Sequence, residues 1–130
     1  MLGRHESREA AFKALFALNA NPDADLDAVY QDVLGEDQEP TAYMKLLVAG
    51  VQEHQAELDQ TITSKLKAGW RLERLTKPDL ILLRLGLFEI QFEDLDDKIA
   101  VDEVLQLAKK YNDDASAKFI NGILGHFVKN

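Results

Sequence analysis

Three histidines, His5, His54 and His126, are the residues whose ordinary pKa lies nearest neutrality in this 130-residue chain, and there is no cysteine. The histidines are scattered, and none falls in an H-x-x-x-H pair, so they do not describe a metal site. They read as surface or boundary residues. Without cysteine there is no disulfide, no thiolate nucleophile and no Cys-based zinc or iron–sulfur site, which fits a reducing cytoplasm. Asp23-Ala24-Asp25-Leu26-Asp27 has the alternating oxygens of a calcium loop. Its sixth position is Ala28 where glycine is needed, and its twelfth is Leu34 where a bidentate glutamate is needed. Phosphate-cradling glycine loops and a G-x-S-x-G elbow are absent. The acidic pairs Asp96-Asp97, Asp102-Glu103 and Asp113-Asp114 remain. Neighbours on a helix point about 100° apart, so adjacent acids serve better as caps and dipole partners than as an acid–base couple. The expectation is a non-enzyme with no cofactor and no metal.

Cations are the other source of chemistry. The net charge of −8 opposes simple nucleic-acid binding, since phosphate affinity comes from lysine and arginine releasing counterions. The excess is concentrated, however. Residues 21–60 hold one base, Lys45, against ten acids, whereas residues 61–92 hold six bases against three. A local basic surface is therefore compatible with the overall charge.

The elements that must position these groups are helical throughout. Ala10, Ala11, Ala14, Leu15 and Leu18 recur at spacings of three and four, predicting a first helix from about Ser7 to Asn19 that stops at Asn21-Pro22. Leu26, Val29, Tyr30 and Val33 mark a short second helix before Gly35, and an acidic loop follows. Thr41 is placed to cap a third, with Met44, Leu47, Val48 and Val51 along one face. The pattern continues through Leu58, Ile62 and Leu66 with a break between His54 and Asp59, and Gly69 is expected to end it. Thr76-Lys77-Pro78-Asp79 combines a hydroxyl cap, a first-turn proline and a carboxylate. It opens the most apolar helix, to about Phe92, expected to be central. Arg84, inside that helix, reads as a structural ion-pair or capping partner.

Val101, Val104, Leu105 and Ala108 mark the next helix, ending near Tyr111-Asn112, and Asp114 or Ser116 is expected to cap the last, which carries Phe119, Ile120, Ile123, Leu124 and Phe127. Gly50, Gly86 and Gly122 sit inside helical patterns, where each costs about 1 kcal/mol relative to alanine. Close helix–helix packing is the expected compensation. No strand alternation persists, and the longest apolar run, Leu80 to Leu83, is too short to span a bilayer. The N-terminus does not read as a signal peptide. All-α is the fold class, and no membrane association is expected.

Several of these segments, in this order, resemble the NusB family. They are Ser7 to Phe16, Leu46 to Val51, Trp70 to Leu75, Asp79 and then Ile81 to Ile90, Lys98 to Val104, Leu107 to Tyr111, and Ser116 to Leu124. Similar domains also precede the methyltransferase domain of some RNA cytosine methyltransferases; the stand-alone form is the better match to this chain. The resemblance implies a compact bundle of about seven helices in two subdomains, with residues 1–130 forming a single RNA- and protein-binding domain. It implies a cytoplasmic role in transcription antitermination. Family members pair with the small-subunit ribosomal protein NusE, hold the single-stranded boxA element of nascent ribosomal RNA, and join other Nus factors on RNA polymerase. Some relatives form homodimers.

Carried onto this chain, the family's RNA surface falls on Arg4, Arg8, Lys98, Lys118 and Phe119: cations for phosphates, and an aromatic face on which a base stacks for about 1–3 kcal/mol. Phe119 is also in phase with Ile123, so core packing is its competing role. Asn121 reads as a structural hydrogen bonder rather than a base reader. The NusE surface falls on Phe16 and Asp79, an aromatic and an acid suited to a partner with an apolar spot and a base. Burial beside Leu15 is the competing role of Phe16, whereas the capping role of Asp79 and a partner contact can coexist. The N-terminal segment is poorer in arginine than in relatives, and Asp96-Asp97 stands where proline and an aromatic or polar residue are common. Both departures predict that firm RNA binding needs NusE. The alternative is a protein-only adaptor or homodimeric scaffold with little RNA binding of its own.

Overall fold

A computed structural model describes residues 2–129. Seven α-helices, and no strand, are found among them: α1 Arg4–Ala20, α2 Leu26–Leu34, α3 Ala42–Glu53, α4 Gln55–Thr63, α5 Lys77–Phe92, α6 Asp97–Tyr111 and α7 Asp114–Leu124. Short 3-10 turns stand at Leu72–Arg74 and Gly125–Phe127. The chain divides into two compact units, Met1–Gly50 and Val51–Asn130. No helix among the described residues is long and apolar enough to cross a membrane, and no cluster of side chains there is suited to a metal ion.

In the first unit α1 starts three residues before the expected Ser7, with Gly3 as its cap residue and Ser7 N donating to Gly3 O at 2.9 Å. Arg4 and Arg8 are thus helical, not a loose arm. The buried side of α1 comprises Ser7, Arg8, Ala10, Ala11, Phe12, Ala14, Leu15 and Leu18, and α1 packs on α2. The small alanines let the helices approach closely. Asp25, one of the rejected calcium-loop oxygens, instead caps α2 by accepting from Ala28 N at 3.1 Å. Thr41 caps α3 as its type and position predict, with Met44 N donating to Oγ1 at 3.1 Å.

In the second unit α5 is the centre, buried without interruption from Asp79 to Ile90, and packs against α4, α6 and α7. Such all-round burial follows from an apolar sequence on every face. Thr76 caps it, Asp79 N donating to Oγ1 at 3.3 Å. Three charged side chains of this helix, Asp79, Arg84 and Glu89, are buried. Arg84 forms a fork with Asp59 of α4, Nε to Oδ1 at 2.7 Å and Nη2 to Oδ2 at 3.0 Å. That is the structural ion pair its sequence setting implies, and it fixes α4 on α5. Gly86 is a packing position: a Cβ there would lie 2.7 Å from Leu124 Cδ1 and 3.2 Å from Val104 Cγ2. Gly50 is also buried.

Three boundaries differ from expectation. The third and fourth helices break at His54 alone, whose ring stacks on Phe92 at 4.2 Å and bonds Glu57 Oε1 at 3.2 Å. The fourth ends at Thr63, well before Gly69, where the hydroxyls of Thr61, Thr63 and Ser64 turn back to carbonyls of the preceding turn. The cap of α7 is Asp113, accepting from Ser116 N at 2.8 Å, rather than Asp114 or Ser116. Likewise Asp96 caps α6 by accepting from Lys98 N at 2.9 Å. Two of the three acidic pairs therefore supply a cap.

Candidate nucleic-acid interface

On α7 the apolar residues Ala117, Ile120, Ile123 and Leu124 turn inward, and the spacing of three and four that buries them also groups what is left. Ala115, Lys118, Phe119 and Gly122 share the opposite side, with Lys118 exposed and Phe119 half-buried. Phe119 is therefore neither a core residue nor fully free.

This side of α7 lines a groove of about 410 Å³ with Lys65, Leu66, Lys67, Trp70, Ile123 and His126. Three lysines and a histidine border it and no carboxylate does. Among the described residues no ion pair engages Lys65, Lys67 or Lys118. Gly122, expected as a packing position, has nothing within 4 Å of where a Cβ would stand. It is an open wall of the groove instead. On the other side of Lys118 lies a second groove of about 400 Å³, lined by Leu105, Lys109, Asp114, Ala117 and Asn121. Lys118 thus borders both.

The remaining residues proposed for RNA are elsewhere. Lys98 is exposed on the first turn of α6, flanked by Asp96 and Asp97, which lower the local positive potential. In the first unit Arg4 is exposed, its guanidinium 4.4 Å from the centre of the Tyr43 ring. Arg8 corrects an expectation. It is only 2% exposed, lies 5.7 Å from the same ring and donates from Nη2 to the Tyr43 hydroxyl at 3.3 Å. Its position three and four residues before Ala11 and Phe12 puts it in the buried stripe, a signal the sequence did contain.

Of the partner residues, Phe16 is 41% exposed, so it is not buried with Leu15. Asp79 is 8% exposed and its Oδ1 accepts from Asn112 Nδ2 at 3.3 Å, which ties the start of α5 to the end of α6. That carboxylate thus has a structural role at the start of α5. Trp70, 51% exposed, went unmarked as a site because a lone aromatic in a connecting segment carries no periodic signal.

Comparison with known proteins gives one consistent answer. Residues 5–129 match the model of the NusB family. The transcription antitermination protein NusB of Lacticaseibacillus casei (strain BL23) is 57% identical, over 99% of this chain and 96% of its own length. A solved structure of T. maritima NusB superposes with a TM-score of 0.87 at 32% identity, covering 99% of this chain and 92% of that one. A crystal structure of the antitermination factors NusB and NusE in complex with dsRNA gives 0.82 at 26% identity, covering 95% and 94%. The family model and the curated relatives agree over nearly the whole length, and the chain belongs to the NusB family.

Proposed function

We propose that this chain binds the single-stranded boxA element of nascent ribosomal RNA transcripts together with ribosomal protein NusE, as one RNA- and protein-binding domain acting in the cytoplasm. Through that complex it meets other Nus factors and RNA polymerase. The observation that carries the reading is the groove beside α7. In a chain of net charge −8, three lysines and a histidine gather with Phe119 and Trp70 around a cleft that no acid borders. Cations for phosphates beside rings for bases are what an unpaired strand requires. The likeness to a solved NusB–NusE complex with RNA supports both partners.

Lys118 and Phe119 carry the RNA contact, with Arg4 and Lys98 as exposed outlying cations. Arg8 acts from within, by holding Tyr43 under Arg4. Phe16 offers NusE an exposed aromatic, and Asp79 contributes through the α5–α6 geometry it fixes. With about three to five phosphate contacts the logarithmic salt slope is roughly −2 to −4, modest enough that NusE is needed for a firm hold. The deciding experiment is co-purification with NusE followed by a gel-shift titration of boxA against scrambled RNA. Preference for boxA that tightens with NusE supports the proposal; equal affinity for both RNAs, or no effect of NusE, refutes it.

A protein-only adaptor or homodimeric scaffold is the second reading, favoured by the net charge and by the burial of Arg8. Replacing Lys118 separates the two. RNA binding falls under the first reading, and under the second there is none to lose.

A further inference from the structure

We infer that Trp70 is a second base-stacking station, so that the RNA strand leaves Phe119 and continues along the groove between the phosphate-binding ammonium groups of Lys65 and Lys67. The inference rests on the RNA reading above and adds residues to it. Trp70 is the chain's one tryptophan and is half exposed. Its ring borders the same cleft as Phe119, so two aromatic side chains line one groove.

Its presentation is built into the backbone. Trp70 N donates to Lys67 O at 3.0 Å, closing a tight turn whose third residue, Gly69, has φ of 89°. A side chain at Gly69 would be strained there, so glycine permits the turn that sets Trp70 after Lys65 and Lys67. The helix α4 has already ended at Thr63, and that early stop releases residues 65–70 to form this wall. The wall therefore holds two cations, then an aromatic, facing a helix that offers a cation and an aromatic of its own.

Charge selects the occupant. A protein segment would need acids and apolar side chains at matching positions. A single strand supplies a phosphate at every residue and a flat face at every base, and it stacks without regard to sequence. An anionic, aromatic-bearing polymer is the chemistry that satisfies both features of this cleft.

A single tryptophan makes the test direct. Intact protein, with and without NusE, is titrated with a boxA oligoribonucleotide while Trp70 fluorescence and the anisotropy of a dye on the RNA are recorded together. Quenching of Trp70 along the same isotherm as the anisotropy is expected. Trp70→Ala should weaken binding by roughly 5- to 140-fold and Trp70→Phe by much less, since a phenyl ring still stacks. Lys65→Gln with Lys67→Gln should reduce the logarithmic salt slope by about 1.4. RNA binding that leaves Trp70 fluorescence unchanged, while Lys118→Gln still weakens it, overturns this inference and leaves the RNA reading standing. No RNA binding by either signal overturns both. Should Trp70→Ala instead convert a sedimenting dimer to monomer with RNA affinity unaltered, a second copy covers the groove and the inference falls.

Discussion

A groove of the first compact unit and the α7 cleft of the second show how differently the same chain treats its surface. The first unit carries one of about 320 Å³ lined by Asp27, Tyr30, Gln31, Gly35, Glu36, Gln38, Glu39, Pro40 and Lys45. The second carries the cleft of lysines, Trp70 and Phe119. Three acids line the first groove against one lysine, and the arginines of α1 meet the chain's own Tyr43. In the second unit rings and cations line the cleft with no carboxylate among them. Net charge therefore misleads as a guide to function. An excess of acid confined to one region leaves the potential of another region positive within a Debye length of its own lysines.

The contrast can be broken first at Arg8. If its role is internal, Arg8→Ala should lower unfolding stability by about 2–3 kcal/mol, since it removes a buried stem and strands its partners. Lys118→Ala should stay within about 0.5 kcal/mol, as for exposed substitutions generally. Chemical denaturation of both variants checks this, and equal losses would erase the distinction between the two kinds of cation.

The glycines sharpen it next. Gly86→Ala forces a methyl against Leu124 and Val104 and should cost about 1–3 kcal/mol by overpacking. Gly122→Ala meets nothing and should stabilise α7 by up to about 1 kcal/mol. That methyl would stand in the groove, so thermal melts and RNA titrations of Gly122→Ala should move in opposite directions.

Charge exchange is a smaller probe. Lys118→Gln should lower the logarithmic salt slope of RNA binding by about 0.7, and Lys45→Gln in the acidic groove should leave it unchanged. The smallest effect concerns Tyr30. Burial, and then the nearby Asp27 charge, hold its phenol above the ordinary 10.0. The neutral form is the one the fold favours, so its contribution is complete below the unfolded pKa and is lost as pH rises through the folded one. An ultraviolet titration should find the Tyr30 phenol ionising above the ordinary tyrosine value, and Asp27→Asn should bring it partway back.

Much of the fold was legible because helix signals are local. Thr41 and Thr76 cap where hydroxyl chemistry puts them, and the apolar run from Leu80 to Ile90 marks the buried helix. Arg84 in that run implied a partner, which is Asp59. The misses have local causes too. Asp113 and Asp114 differ only in which backbone turns extended, with φ of −156° at Asp113, and periodicity does not resolve one residue. The end of α4 was set by three hydroxyls competing for carbonyls, against an apolar pattern that ran on to Leu66.

The candidate site was less legible. Lys118 and Phe119 came from family likeness, and their grouping with Lys65, Lys67 and Trp70 depends on pairing α7 with a segment some fifty residues earlier, which no window of sequence displays. Gly122 shows the same limit, because a helical glycine that admits a neighbour and one that opens a surface look identical in a string of letters.

The most direct test of the account is amide chemical-shift mapping of the uniformly labelled 14.6 kDa protein during titration with boxA RNA, with and without NusE. The account predicts the largest shifts along α7 around Lys118 and Phe119, with smaller ones at Arg4. A titration that binds RNA yet leaves Asp114 to Leu124 unperturbed would contradict it.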